Sequence, residues 1–387
     1  MKRESHLFEK IISDENLMAA IDEVNKSHHW RKGHRPNRCT AWVETTKPDR
    51  VKELKQIIVE GFVPCPSRKR RRWDPSARKW RDISEPKQWP DQYVHHALIQ
   101  VLQPSMMKGM DFYCCGSIRG RGPIQEKNAI ESWVRYDIKG TKYELCCDIR
   151  HFYDSLTQKV VIDRMKELIK DRRTIDLVER ITGNGIKIGE YTSQWFANTV
   201  LQPMDRMIRE SGLCKHYARY MDNLTIFGSN KRKLQQLRRK IEKWLNEHSL
   251  ELKKDWQIFP LSGRMPDAVG YRYGRDYTLP RKHTFFRTKQ AISRYRRRKR
   301  RGSRIPVKMA LSIVSRLGML EHCNNAHIYR ILFDGEKIEK DLKDIIRESQ
   351  KEVMKWSTFL EQYKEAVRNL NASKRSETNT QPCMAGS

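Results

Sequence analysis

Residues 219–227 read RYMDNLTIF, two short runs of strand-forming residues that meet at Asp222 and Asn223. Strand formers on either side of two turn formers predict a hairpin whose turn carries one carboxylate and one carboxamide. A turn of that kind is ordinary in isolation, and its meaning depends on what else the chain brings to it. A second β-rich run, KYELCCDI at 142–149, delivers Asp148 near its end. Between the two runs, a helix is predicted over about residues 156 to 182. The segment 183–210 follows, with a glycine-rich start, Thr192 or Ser193 as a cap, and then apolar residues at helical spacing.

Two acids on neighbouring strand ends are suited to chelating a pair of divalent ions, the arrangement that phosphoryl transfer requires. Composition agrees with a phosphate-bearing partner. The 387 residues carry 78 Lys and Arg against 47 Asp and Glu, a formal charge of +31, while 38% hydrophobic residues suffice for a real core. A polyanion is the natural partner for such an excess. No stretch approaches the ~20 apolar residues of a membrane span, and the N-terminus lacks a signal-peptide core, so no membrane partner is expected. Nine cysteines, odd in number and without CxxC spacing, argue for reduced thiols in the cytoplasm rather than disulfides or a zinc ribbon.

Outward from the centre, residues 1 to about 60 read as polar helices interrupted by HHWRKGHRPNRCTAW. CPSRKRRRWDPSARKWRDISEP, at 65–86, reads as a basic hairpin or loop with Trp73 and Trp80 among its cations. Aromatic rings inside a basic stretch suit single-stranded nucleic acid. An apolar helix is expected over DQYVHHALIQVLQPSMM, ending near Pro104, and it leads into a Gly-rich loop carrying Arg119 and Arg121, whose amides and guanidinium groups can meet phosphates. Downstream come a basic amphipathic helix over 231–252, a hairpin at AVGYRYGRDYTL, and an Arg- and Lys-dominated helix over 287–304 that offers a track for a phosphate backbone. The tail 371–387 is expected to be disordered.

In this order the motifs resemble those of reverse transcriptases, and within them the bacterial, phage and retroelement branch, over roughly residues 78–330. KWRDISEPKQWPDQYVHHAL and GSIRGRGPIQEKNAI resemble the two fingers motifs, CCDIRHFYDSL motif A, GIKIGEYTSQWFAN motif B, RYMDN motif C, LELKKDW motif D and VGYRYG the primer-grip hairpin; RLGMLEHCNNAHIY resembles a thumb segment. The resemblance implies an α+β fold, a right-hand polymerase with an antiparallel-sheet palm, fingers and a helical thumb. The corresponding divisions are 1–110 for the N-terminal extension and fingers, 111–275 for fingers and palm, and 276–370 for the basic thumb. It implies an RNA-directed DNA polymerase that acts on dNTPs, an RNA template, a primer and DNA product. A structured non-coding RNA and an accessory protein are admitted as further partners.

The resemblance assigns catalysis to Asp148, Asp222 and Asn223. Two Mg²⁺ ions, with Mn²⁺ as substitute or preferred ion, would be held by Asp148, the Ile149 backbone and Asp222. Nucleotide binding falls to Tyr153, Arg81, Arg119, Arg121, Ile188, Gly189, Gln194 and Lys253, and the primer grip to Gly270 and Tyr271. Tyr153, five residues past Asp148, is placed for a flat ring to reject a 2′-hydroxyl, and Lys253 or Lys254 to donate a proton to pyrophosphate. Two departures stand out. Ile188 replaces the polar residue usual before the motif B glycine, and with Ser193-Gln194 this form resembles enzymes of diversity-generating and defence-associated elements. Asn223 stands where the family usually has Asp, which removes one negative charge but keeps a carbonyl oxygen. Different classes of reading are a nucleic-acid-binding protein without catalysis and a template-independent DNA polymerase of antiphage defence.

Overall fold

The strand Tyr143–Arg150 organises the molecule. Its alternation buries Leu145, Cys147 and Ile149 on one face and leaves Cys146 and Asp148 on the other. The computed structural model describes residues 3–28, 37–74, 79–183 and 185–351; most of the Trp30-bearing basic segment, residues 75–78, the end of the expected thumb at 352–370 and the tail 371–387 lie outside them. In chain order the strands are β1 (Arg68–Asp74), β2 (Lys79–Glu85), β3 (Tyr143–Arg150), β4 (His216–Tyr220), β5 (Asn223–Gly228), β6 (Glu251–Leu252), β7 (Gln257–Pro260), β8 (Asp267–Ala268), β9 (Tyr271–Tyr273) and β10 (Thr278–Pro280). The five-stranded palm sheet runs β4-β5-β3-β6, and β7 also pairs with β3; every pairing is antiparallel. β1 and β2 form a separate hairpin, and β8, β9 and β10 a third small sheet where the sequence suggests a simple hairpin.

Helices cover the palm sheet on its apolar face. In the helix Lys231–Glu247 the buried residues Leu234, Leu237, Ile241 and Leu245 recur at helical spacing, and Asn230 caps its first turn by accepting from the Arg232 and Lys233 amides. The long helix expected over about 156–182 is instead two, Gln158–Leu168 and Arg172–Thr182. The break is made by the N-terminus: Glu4 exchanges backbone hydrogen bonds with Leu168 and Lys170. Asp171 then caps the second helix while also accepting from the amides of Leu7 and Phe8, at 2.9 and 2.8 Å. The helix Tyr93–Met107 likewise runs past Pro104, because burial of Ser105 and Met106 carries it one further turn.

One apolar core is continuous from Leu7 to Leu252. A second gathers Ile292, Tyr295, Ile313, Leu317 and Leu332 from the helices Lys282–Arg300, Val307–Leu320 and Ala326–Phe333. The first of these helices buries Thr284, Thr288, Ile292 and Tyr295 along one stripe, and its last turn is four consecutive cations, Arg297 to Arg300. The β8–β10 sheet joins the two cores: the Tyr271 hydroxyl donates to the Met319 carbonyl (2.8 Å), and Thr278 and Asn324 bond reciprocally.

Candidate active site

The register of the palm sheet brings the two acids together. Asp148 lies opposite Asn223 across β3 and β5, while Tyr220 lies opposite Asn223 across β4 and β5, so Met221 and Asp222 form the hairpin turn beside Asp148. The Ile149 amide donates to the Asp222 carbonyl (3.2 Å), which ties the turn to β3. Met221 takes a left-handed conformation, φ +56°, uncommon for a residue with a side chain. Gly116 makes room for it, since a Cβ there would lie 2.7 Å from the Met221 nitrogen and 2.7 Å from its sulfur.

Burial, and then the neighbouring Asp222 carboxylate, push Asp148 up to about 7, with Lys253 opposing. Among the described residues, Asp148 Oδ1 is buried without a hydrogen-bond partner. A buried, unpaired carboxylate oxygen beside a second carboxylate is what a hard divalent cation would satisfy, so the donor set fits such an ion. Among the described residues no group of three or more His, Cys, Asp and Glu side chains is placed to hold a metal, so these two acids would share the shell with water or substrate oxygens. Asn223 is exposed and its amide donates to Asp222 Oδ1 (3.3 Å). Where an acid would repel, the carboxamide supports its neighbour.

Around this pair the other expected residues fall into distinct places. Burial raises the Tyr153 hydroxyl pKa, Asp222 and Tyr220 add to the rise, and Arg81 opposes it, which puts the ring and that guanidinium in the same neighbourhood as the acids. Arg81 also donates from Nε to Asp74 (2.7 Å) across the β1–β2 hairpin. Lys253 bonds through its amide to the Asp148 carbonyl (2.8 Å), and its ammonium lies 2.8 Å from Asp255 and 3.5 Å from Asp148, which hold it charged. Arg121 donates to the carbonyls of Asp111 (2.6 Å) and Cys114 (3.3 Å), and so braces its own loop. Arg119 is exposed and points toward Glu23, 3.9 Å away; both arginines line a cleft of about 810 Å³ with Gly120, Gly122 and Phe112.

In motif B the Ile188 carbonyl accepts from the Ser84 amide (2.7 Å), joining this segment to β2. A Cβ on Gly189, φ +109°, would stand 2.4 Å from the Ser84 oxygen, so the glycine permits this contact between β2 and the segment that leads into the helix Tyr191–Val200. Gln194 is half-buried in the first turn of the helix Tyr191–Val200. Gly270 and Tyr271 belong to the β8–β10 sheet rather than to the sheet that carries Asp148; the Gly270 carbonyl accepts from the Arg281 amide, and the Tyr271 ring is buried with Phe227, Ile130 and Val134.

Arg219 is a functional candidate that motif reading passes over. It is fully buried, and its five N–H groups all have acceptors: both Asp205 carboxylate oxygens (2.9 and 2.7 Å), the side-chain oxygen (2.9 Å) and carbonyl (3.4 Å) of Asn198, and the Met221 carbonyl (2.9 Å). Asp205 also accepts from the Tyr217 hydroxyl (2.6 Å), and Asn198 donates to the Gly116 carbonyl (2.8 Å). A charge between Ala218 and Tyr220, in a strand whose interior is otherwise Tyr217 and Ala218, is the signal available in the sequence, since its burial demands a partner.

Among known proteins, residues 69–257 match the family model described as reverse transcriptase (RNA-dependent DNA polymerase). No curated protein matches the chain. Similar solved structures include telomerase from Candida albicans in complex with a TWJ fragment of telomeric RNA, with 12% identity over 80% of this chain and 70% of that one and a TM-score of 0.43. Telomerase from Candida tropicalis in complex with a TWJ fragment of telomeric RNA shows 13% identity over 62% of this chain and 52% of that one, again with a TM-score of 0.43.

Proposed function

We propose, from the premise that residues 69–257 belong to the reverse-transcriptase family, that this chain extends a primer 3′-hydroxyl with dNTPs copied from an RNA template. The observation that carries the proposal is the placement of Asp222, in the β4–β5 turn, beside Asp148 on the neighbouring strand β3, with Asp148 Oδ1 buried and without a hydrogen-bond partner among the described residues. Asp148 and Asp222 would hold two divalent cations, Mg²⁺ or Mn²⁺, which when bound activate the attacking hydroxyl and stabilise the leaving oxygen. Tyr153 stacks against the sugar and screens its 2′ position, Arg81 meets triphosphate charge, and Lys253, kept protonated by Asp255 and Asp148, donates to the departing pyrophosphate.

The Ile188-Gly189 and Ser193-Gln194 form of motif B favours a prokaryotic retroelement enzyme, of the diversifying or the antiviral kind. Primer extension on an RNA template tests the proposal. Incorporation of dNTPs with Mg²⁺ or Mn²⁺, abolished by Asp148→Asn, is the expected result; no incorporation with either ion would overturn it. Asn223 favours one second reading, a nucleic-acid-binding protein without catalysis, in which Asp148→Asn leaves the biological activity unchanged.

A further inference from the structure

The β1–β2 hairpin has two chemically different faces. Because side chains alternate along a strand, the register Arg72↔Arg81, Arg70↔Ile83 and Arg68↔Glu85 sets one face, and Trp73↔Trp80, Arg71↔Asp82 and Lys69↔Ser84 sets the other. The first face is the inner one: Arg81 reaches the neighbourhood of Tyr153, and Ile83 packs on the segment at Gly189. Trp73 and Trp80 therefore point away from the nucleotide side.

On that outer face the two indoles meet edge to face with centroids 5.5 Å apart, and they remain 48% and 55% exposed. The Arg71 guanidinium lies 5.6 Å from the Trp80 ring centroid, and its ion pair with Asp82 is long, 3.9 Å, and exposed. Residues 68–72 are five consecutive cations, all exposed. The hairpin is anchored through its inner side at Ile188 and Gly189, which leaves the two outer indoles with open apolar faces among cations. Indole faces stack on any base, and neighbouring cations neutralise the connecting phosphates.

We propose that the outer face of this hairpin binds an unpaired polynucleotide strand, with bases stacked on Trp73 and Trp80 and phosphates against Lys69 and Arg71. The hairpin then separates two ligands, triphosphate on the Arg81 face and single strand on the tryptophan face. That the strand is the template ahead of the active site rests on the polymerase reading above.

The test is binding of labelled oligonucleotides to the full chain by fluorescence anisotropy at fixed salt, with single-stranded RNA, single-stranded DNA and a blunt duplex as separate arms. The Trp73→Ala/Trp80→Ala variant is expected to lose about tenfold or more in affinity for single strands while holding blunt duplex within about twofold. Trp73→Phe/Trp80→Phe should retain most of the affinity, because a phenyl face still stacks. Lys69→Ala/Arg71→Ala should lower the slope of log affinity against log salt by about 1.4, two phosphates at the single-strand value. Equal losses for RNA and DNA are expected of stacking, and a loss confined to one polymer would support the site and identify its strand. Unchanged single-strand binding in the Ala pair, or an equal loss on blunt duplex, would overturn the proposal. A chain that makes no DNA yet shows this discrimination refutes only the polymerase reading; an active chain that binds single strands regardless of both tryptophans refutes only this inference.

Discussion

Asn223 adjoins Asp222 in the turn that the proposed function assigns to cation binding. Its amide donates to Asp222, so Asn223→Asp replaces a supporting dipole with a third carboxylate. The expected outcome is a lower Mg²⁺ concentration for half-maximal primer extension and a smaller advantage of Mn²⁺, read from metal titrations. Unchanged metal dependence would mean that Asn223 lies outside the coordination sphere. Arg219 acts one shell further back. Removing it leaves the buried Asp205 carboxylate without a cation, held only by the Tyr217 hydroxyl, and frees the Met221 carbonyl, so Arg219→Met should cost on the order of 3–5 kcal/mol of stability. Asn198→Ala keeps the Arg219–Asp205 pair but removes an acceptor and the tie to Gly116. It should lower kcat more than it changes KM for dNTP, as expected if this network positions the turn.

Among the elements, the N-terminal segment is the one whose role depends most on a distant residue. Asp171 caps the helix Arg172–Thr182 and accepts from Leu7 and Phe8, both buried. Asp171→Ala therefore removes a cap and two charge-assisted bonds together, and should destabilise by roughly 2–3 kcal/mol, measured as a shift of the urea midpoint. A loss of less than about 0.5 kcal/mol would show that the N-terminal helices dock without it. The helix break at residues 169–171 was illegible in the sequence for the same reason: local spacing supports one long helix, and only the strand-like contact of Glu4 interrupts it.

For the whole molecule, buried acids set a pH dependence. Burial pushes Glu144 and Glu126 up to about 8 from an ordinary 4.5, so the folded chain holds protons that the unfolded chain has released. Stability supplied by their protonation is complete below about 4.5 and is lost as pH rises toward 8. His95 and His96, pushed down by burial to about 3 and about 4, act in the opposite sense, since stability falls as pH drops below 6.5. Both Glu144 oxygens lack hydrogen-bond partners among the described residues. Glu144→Gln should thus be more stable than the parent chain at pH 8 and should flatten the loss between pH 6.5 and 8 in urea denaturation. Identical slopes would exclude Glu144 as a source of the dependence. On a larger scale, no helix among the described residues is long and apolar enough to cross a membrane.

From sequence alone, two strand ends each bearing an acid set Asp148 and Asp222 in one constellation, and the order of the motifs, through their resemblance to reverse transcriptases, implied an α+β chain, because strand formers, turn formers and motif order are all local properties. Register was decided by the tertiary structure. It set Asp148 opposite Asn223, gave Gly189 its contact with Ser84, turned Arg121 inward to brace its loop, and buried Tyr271 with Phe227, Ile130 and Val134. Arg219 was visible as a letter in RYMDN, yet its side-chain partners Asp205 and Asn198 stand 14 and 21 positions earlier, on two helices. A buried charge requires a partner, but only three-dimensional packing selects which one.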